Sequence, residues 1–125
     1  MPYAYDDQNI FAKILRGEIP NKTVMETDHT LAFADIQPQA PHHVLVIPKG
    51  AYVTADDFAL NASDAEITDF WRSFGKICTK LAVSPDQGAG YRIISNAGED
   101  GVQDVPHFHM HFLAGRPLGR MLQAG

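Results

Sequence analysis

Apolar and polar residues alternate along the chain with two periods. Ile10, Phe11, Ile14 and Leu15 recur at helical spacing behind Asn9 as N-cap, with Gly17 as the stop and Pro20 beyond, which predicts a helix of about two turns. Thr23–Glu26 and Thr30–Asp35 flank a hairpin-like turn at Thr27, Asp28 and His29. Leu31 and Phe33 alternate with Thr30 and Ala32 as in a half-buried strand. His43 to Ile47 is a nearly continuous apolar run closed by Pro48, the pattern of a central strand covered on both faces. From about Ser63 to Val83, residues Ile67, Phe70, Trp71, Phe74, Ile77, Cys78 and Leu81 fall three or four apart, as in a long helix that packs on a core or a subunit interface. Ser63 and Glu66 form a capping-box pattern at its start. After a Pro85–Gly90 loop, Tyr91–Asn96 reads as a strand, Ala97–Gly101 as a glycine-punctuated turn and His107–Ala114 as the last strand. Strand groups on either side of one long helix, without regular alternation, predict an α+β fold with helices layered on an antiparallel sheet.

A length of 125 residues with 45% apolar content suits one domain spanning 1–125, and no repeat or linker divides it. Ten basic against fifteen acidic residues, with no basic block, argue against nucleic acid or an acidic membrane as partner. A small anionic ligand stays open. Cys78 is the only cysteine, which excludes an internal disulfide and a Cys-rich zinc site and favours a reducing compartment. With no signal-like start and no window approaching the roughly 18 apolar residues of a membrane helix, the protein is expected in the cytoplasm.

Chemistry concentrates in the histidines. His107, His109 and His111 occupy alternate positions, so on a strand all three imidazoles project from one face, roughly 6.7 Å apart along the chain, with Phe108, Met110 and Phe112 behind them. A solvated polar strand face, a metal site of two or three imidazoles, and a phosphoryl-transfer site are the competing readings. In the last, a neutral ring attacks phosphorus and a second supplies the proton for a leaving group. Asn96, Gln103 and the Gly98–Gly101 turn lie close in sequence and supply neutral donors for a phosphate.

Two long segments carry a resemblance. Asp35-Ile-Gln-Pro-Gln-Ala-Pro-His-His-Val-Leu-Val-Ile-Pro-Lys49 and Gly101-Val-Gln-Asp-Val-Pro-His-Phe-His-Met-His-Phe-Leu-Ala-Gly-Arg116 resemble the histidine triad (HIT) superfamily. Ile10-Phe11, Gly17-Glu18-Ile19-Pro20 and Leu31-Ala32-Phe33 fit its Hint branch of purine nucleoside phosphoramidases, and the Gly115–Gly119 tail is similar to bacterial members. The resemblance implies a HIT-like sheet of about five strands with one short and one long helix, and a homodimer joining two sheets. It implies no cofactor and no metal. Its reaction would cleave the P–N bond of a purine nucleoside 5'-phosphoramidate through a nucleotidyl-histidine, giving a nucleoside monophosphate. His109 would be the nucleophile, His111 would serve the phosphate and the departing amine, and His107 and His43 would complete the histidine network. Asp35 would hold the ribose, and Ile10, Phe11, Ile19, Phe33 and Ile36 the base. Asn96 and the segment Val102, Gln103 and Asp104 would hold the phosphate.

Two residues depart from the pattern. Asp104 stands where Ser or Thr is frequent, and its carboxylate either turns away from the phosphate or meets a cationic leaving group; Pro106 removes an N–H just before the triad. The termini, 1–9 and 119–125, are expected to be flexible or to contact a partner. A dinucleoside polyphosphate hydrolase of the same superfamily, a nucleotide-binding regulatory protein with little catalysis, and a metal-dependent enzyme are the alternatives.

Overall fold

The computed structural model describes residues 3–123. Helix α1 covers Ile10–Leu15, and the side chain of Asn9 caps it by accepting the N–H of Ala12. Strands β1 (Thr23–Glu26), β2 (Thr30–Ala34) and β3 (His42–Pro48) follow, then helices α2 (Ala55–Asn61) and α3 (Asp64–Leu81), then β4 (Tyr91–Ile94) and β5 (Met110–Ala114). The strands form one antiparallel sheet in the order β1-β2-β3-β5-β4. The capping box of Ser63 and Glu66 is formed at the head of α3. No helix among the described residues is long and apolar enough to cross a membrane.

Strand periodicity assigns the two faces of the sheet. On one, Ala32, Val44, Val46, Phe112 and Ala114 pack with Phe58 of α2 and Phe70, Phe74 and Ile77 of α3. On the other, Leu31, Phe33, Leu45 and Ile47 pack with Phe11 and Ile14 of α1. The cross-strand pair Leu45–His111 puts His111 on this α1 face, and His43 lies two residues before Leu45 on the same strand. The short helix therefore covers part of that face, and its Phe11 packs edge-on against His109 at the histidine end.

Three expectations change. β2 is buried on both faces, because α1 and α3 cover opposite sides; Thr30 is as inaccessible as Ala32. The α2 helix was not anticipated, although Thr54 accepts the N–H of Asp57 as its N-cap and two acids fill its first turn. The last strand is shorter than expected: β5 starts at Met110, and His107 to His109 precede it in irregular backbone. The side chains nevertheless keep alternating, with Phe108 in the α3-side core and the histidines opposite.

Asp69 of α3 secures the β1–β2 hairpin, its carboxylate accepting from Thr27 Oγ1 (2.5 Å), Thr30 Oγ1 (2.8 Å) and the N–H of His29 (3.2 Å). Burial alone would raise this acid, but the two hydroxyls and the N–H bring it below the ordinary carboxylate range. A lowered acid stabilises the fold fully above its unfolded pKa and loses that contribution as pH falls through the folded value. Asp69→Ala is expected to cost roughly 2 kcal/mol at neutral pH by leaving buried hydroxyls unpaired. In urea titrations the gap from wild type should close below about pH 4.

Candidate active site

Four imidazoles meet at the junction of β3, β5 and the segment that precedes β5. His107 is fully buried, and His109 and His43 are nearly so. Hydrogen bonds to groups that can only donate or only accept determine where each ring carries its proton. His107 Nε2 faces the carbonyl of Pro48 at 2.8 Å, so it must be the donor; its Nδ1 then accepts from the Tyr5 hydroxyl at 2.6 Å. His109 Nδ1 lies 2.7 Å from the carbonyl of His107, so it holds the proton and Nε2 is left with a free lone pair.

The second pair follows the same logic. The backbone N–H of Gln39 donates to His43 Nδ1 (3.0 Å), which puts the His43 proton on Nε2. That proton is directed to His111 Nδ1 at 2.9 Å, so the His111 proton sits on Nε2. Asp35 Oδ2, 3.4 Å from His43 Nε2, adds an anion beside the same donor. One ring therefore presents a bare nitrogen, and its neighbour, 5.1 Å away between centroids, presents an N–H. That is the pairing needed to attack an electrophile and to serve its anionic oxygens or leaving group.

Burial favours the neutral form of the supporting rings. It lowers His43 and His111 below the ordinary histidine range; the neighbouring imidazoles lower His111 further, while Asp35 opposes both shifts. His107 is pushed down to about 4 by burial, against the Pro48 hydrogen bond that favours its charged form. A histidine lowered by folding contributes its full stability above its unfolded pKa and loses it as pH falls toward the folded value. For His107 that loss should amount to roughly 3 kcal/mol between about pH 6.5 and 4. Urea unfolding across this window should show the decline and a shallower one in His107→Gln; a flat wild-type profile would contradict the neutral buried ring.

A cavity of about 330 Å³ opens beside the histidines, between α1 and the end of β2. Ile10, Phe11, Ile19 and Phe33 form its apolar wall, while Asp35, Ile36 and Asp104 stand at its polar end. Phe11 joins wall and histidines, meeting Phe33 edge-on at 5.6 Å and His109 at 5.0 Å. Ile36 reaches the cavity but is 91% exposed, because the chain turns away at Asp35 as β2 ends. Asn96 lines a second cavity, of about 750 Å³, that includes Gln39, His43 and His111.

The loop before the triad is tight. A Cβ at Gly101 would lie 2.6 Å from the Ala97 carbonyl oxygen, and Val102 adopts a left-handed conformation (φ 56°), which is strained for a β-branched residue. The N–H groups of Val102 and Gln103 are paired within the turn, to the carbonyls of Glu99 (3.1 Å) and Gly98 (3.1 Å). The Gln103 amide donates to the carbonyls of Val53 and Val105. Gln103 therefore braces the loop against the α2 approach in this conformation. Asp104 is 78% exposed, and its Oδ1 stands 3.8 Å from His109 Nε2. It therefore points toward the His109 ring.

Asp35, His43 and His111 also bring one ligand atom each within 4.8 Å of one another. A divalent ion could be held there only by giving up the His43–His111 hydrogen bond. Sequence reasoning passed over Tyr5 and the backbone of Gln39 and Pro48, which set the tautomers. No periodicity or motif marks them, since each acts across a tertiary contact.

The chain is similar to known proteins over nearly its whole length. The HIT domain family matches residues 16–118. A HIT-like protein of Azospirillum brasilense is 54% identical over the full length of both chains. The purine nucleoside phosphoramidase of Escherichia coli K12 is 41% identical, over 93% of this chain and 94% of its own. Among solved structures, a histidine triad protein from Clostridium difficile superposes with a TM-score of 0.79 at 37% identity, over 95% of this chain and all of its own. A HIT family hydrolase from Clostridium thermocellum gives 0.80 at 33%, over 94% and 99%. With four histidines gathered on one end of a five-stranded antiparallel sheet and a family match over most of its length, this chain belongs to the HIT domain family.

Proposed function

We propose that the protein is a hydrolase that cleaves the P–N bond of purine nucleoside 5'-phosphoramidates. The observation that carries this reading is the tautomer pattern: His109 offers Nε2 unprotonated, and His111 offers Nε2–H, within one site. The 41% identical phosphoramidase of Escherichia coli supports the substrate class.

In the first step His109 Nε2 forms a bond to the α-phosphorus as the P–N bond breaks. The electron pair of that bond leaves with nitrogen, which departs as the neutral amine by taking the Nε2 proton of His111 in its imidazolium form, charged when the anionic phosphoryl group binds beside it, so that His111 is left as a neutral ring. Water then attacks phosphorus, the P–His109 bond returns its pair to Nε2, and the proton lost by water restores His111. The product is a nucleoside monophosphate. The purine lies against Phe11, Phe33, Ile10 and Ile19, with Ile36 at the rim, and Asp35 accepts from the ribose hydroxyls. His111 and Asn96 donate to the phosphoryl oxygens, beside the Val102–Asp104 loop. Asp104, an anion 3.8 Å from the attacking nitrogen, favours substrates whose leaving group is cationic. The protein acts as a homodimer through β4, an edge strand with exposed Tyr91, in the cytoplasm.

Turnover of adenosine 5'-phosphoramidate, compared with that of diadenosine tri- and tetraphosphate, tests the substrate class. Intact-protein mass spectrometry during turnover should show an added nucleotidyl group. Faster cleavage of the dinucleotides would favour a polyphosphate hydrolase, and nucleotide binding with no adduct would favour a regulatory protein. Activity unaffected by chelation is expected for imidazole chemistry alone.

A further inference from the structure

We propose that Tyr5, in the segment before α1, is a positioning residue that holds the nucleophilic histidine in its reactive tautomer by anchoring the ring and carbonyl of His107. The link rests on the reading of His109 as nucleophile.

His107 and His109 lie outside β5, so no ladder of sheet hydrogen bonds aligns the carbonyl of His107. That carbonyl nevertheless has one demanding task, to accept the Nδ1 proton of His109 at 2.7 Å and so keep Nε2 bare. Its orientation is set by three anchors: the N–H of Phe108 donates to Tyr52 O (2.7 Å), His107 Nε2–H to Pro48 O (2.8 Å), and the Tyr5 hydroxyl to His107 Nδ1 (2.6 Å). The first two are backbone-directed. Tyr5 is the side chain that satisfies the remaining polar atom of a fully buried ring and closes it off from water, meeting that ring edge-on at 5.6 Å.

Tyr5 is itself held. Tyr3 donates to Asp56 of α2 (2.6 Å), Asn9 Nδ2 to the carbonyl of Asp6 (2.7 Å), and Arg16 to that of Asp7 (2.7 Å). The segment from Tyr3 to Asn9, expected to be flexible or partner-contacting, is thus fastened at both ends across the back of the histidines. Residues 1–2 lie outside the described residues. Burial raises the Tyr5 phenol above its ordinary value, so it remains a donor throughout the neutral range.

Tyr5→Phe keeps the ring and deletes the one hydroxyl. Its kcat for adenosine 5'-phosphoramidate should fall roughly ten- to a hundredfold, the range seen when a group that orients a working imidazole is removed. KM should stay within about twofold, since the hydroxyl contacts no substrate. The ring ¹⁵N shifts provide a readout that a merely structural role would not move. In wild type, His109 should show protonated Nδ1 and bare Nε2; in Tyr5→Phe its two nitrogens should move toward tautomer-averaged values while His43 and His111 stay unchanged. Wild-type kcat in Tyr5→Phe overturns the proposal, and so does a loss of kcat with the His109 shifts unmoved. Should the wild-type protein cleave no phosphoramidate, the functional reading fails, while the ¹⁵N comparison still decides whether Tyr5 sets the His109 tautomer.

Discussion

Replacing His109 with alanine is expected to lower turnover of adenosine 5'-phosphoramidate by at least about 10⁴-fold, as removal of a covalent nucleophile does elsewhere. The nucleotidyl adduct should disappear from the mass spectrum at the same time. The expectation follows from geometry: His109 Nε2 is the bare imidazole nitrogen in the network, whereas His107 Nε2 is committed to Pro48, and the Nε2 protons of His43 and His111 make those nitrogens donors. No neighbour can take over the attack without breaking a hydrogen bond in a buried site. Nucleotide binding should largely survive, because the apolar cavity wall of Phe11, Phe33, Ile10 and Ile19, where the purine is proposed to lie, and the carboxylate of Asp35 are untouched. Wild-type turnover in His109→Ala would remove the covalent route altogether.

The second large effect is on stability. Phe112→Ala should cost about 3–5 kcal/mol, the range for truncating a buried aromatic. For a domain of this size that is a fall in Tm of roughly 10–20 °C. Phe112 is completely buried, pairs across the sheet with Val44 and Ile93, and stacks on Tyr91 with ring centroids 5.2 Å apart. It belongs to the strand that carries His111 next door, so the cavity would form directly under the site. Thermal denaturation by circular dichroism gives the stability, and activity at low temperature should drop more than the folded fraction alone explains. A Tm within a few degrees of wild type would mean that the sheet and α3 close over the gap.

Much of the fold was legible because its signals are local. The apolar period of α3, the Ser63 and Glu66 box, the Asn9 cap and the covered run of β3 each need only neighbouring residues, and the structure reproduces them. The misreadings share a cause. The alternation in β2 looked half-polar because Thr30 was counted as solvent-facing, but Asp69, thirty-nine positions along, supplies its hydroxyl with a buried partner. The strand expected from His107 starts at Met110, because alternation of side chains survives in extended backbone that has no ladder beside it. Helix α2 is only two turns long and holds one large core residue, Phe58, too little for a periodic stripe.

The site divides in the same way. By itself, the sequence determined which residues can do the chemistry: three histidines at alternate positions, His43 ahead of an apolar strand, Asp35 where β2 ends, and a glycine turn before the triad. Those are matters of side-chain identity and of a period of two, which the covalent chain imposes. Only the tertiary structure decided which nitrogen of each imidazole carries the proton. A tautomer depends on the partner at the other ring nitrogen, and those partners, the carbonyls of Pro48 and His107, the N–H of Gln39 and the hydroxyl of Tyr5, are brought up by packing. The same closure strips water from His43, His107 and His111 and pushes all three below the ordinary histidine range, which no order of residues along a chain can do before it folds.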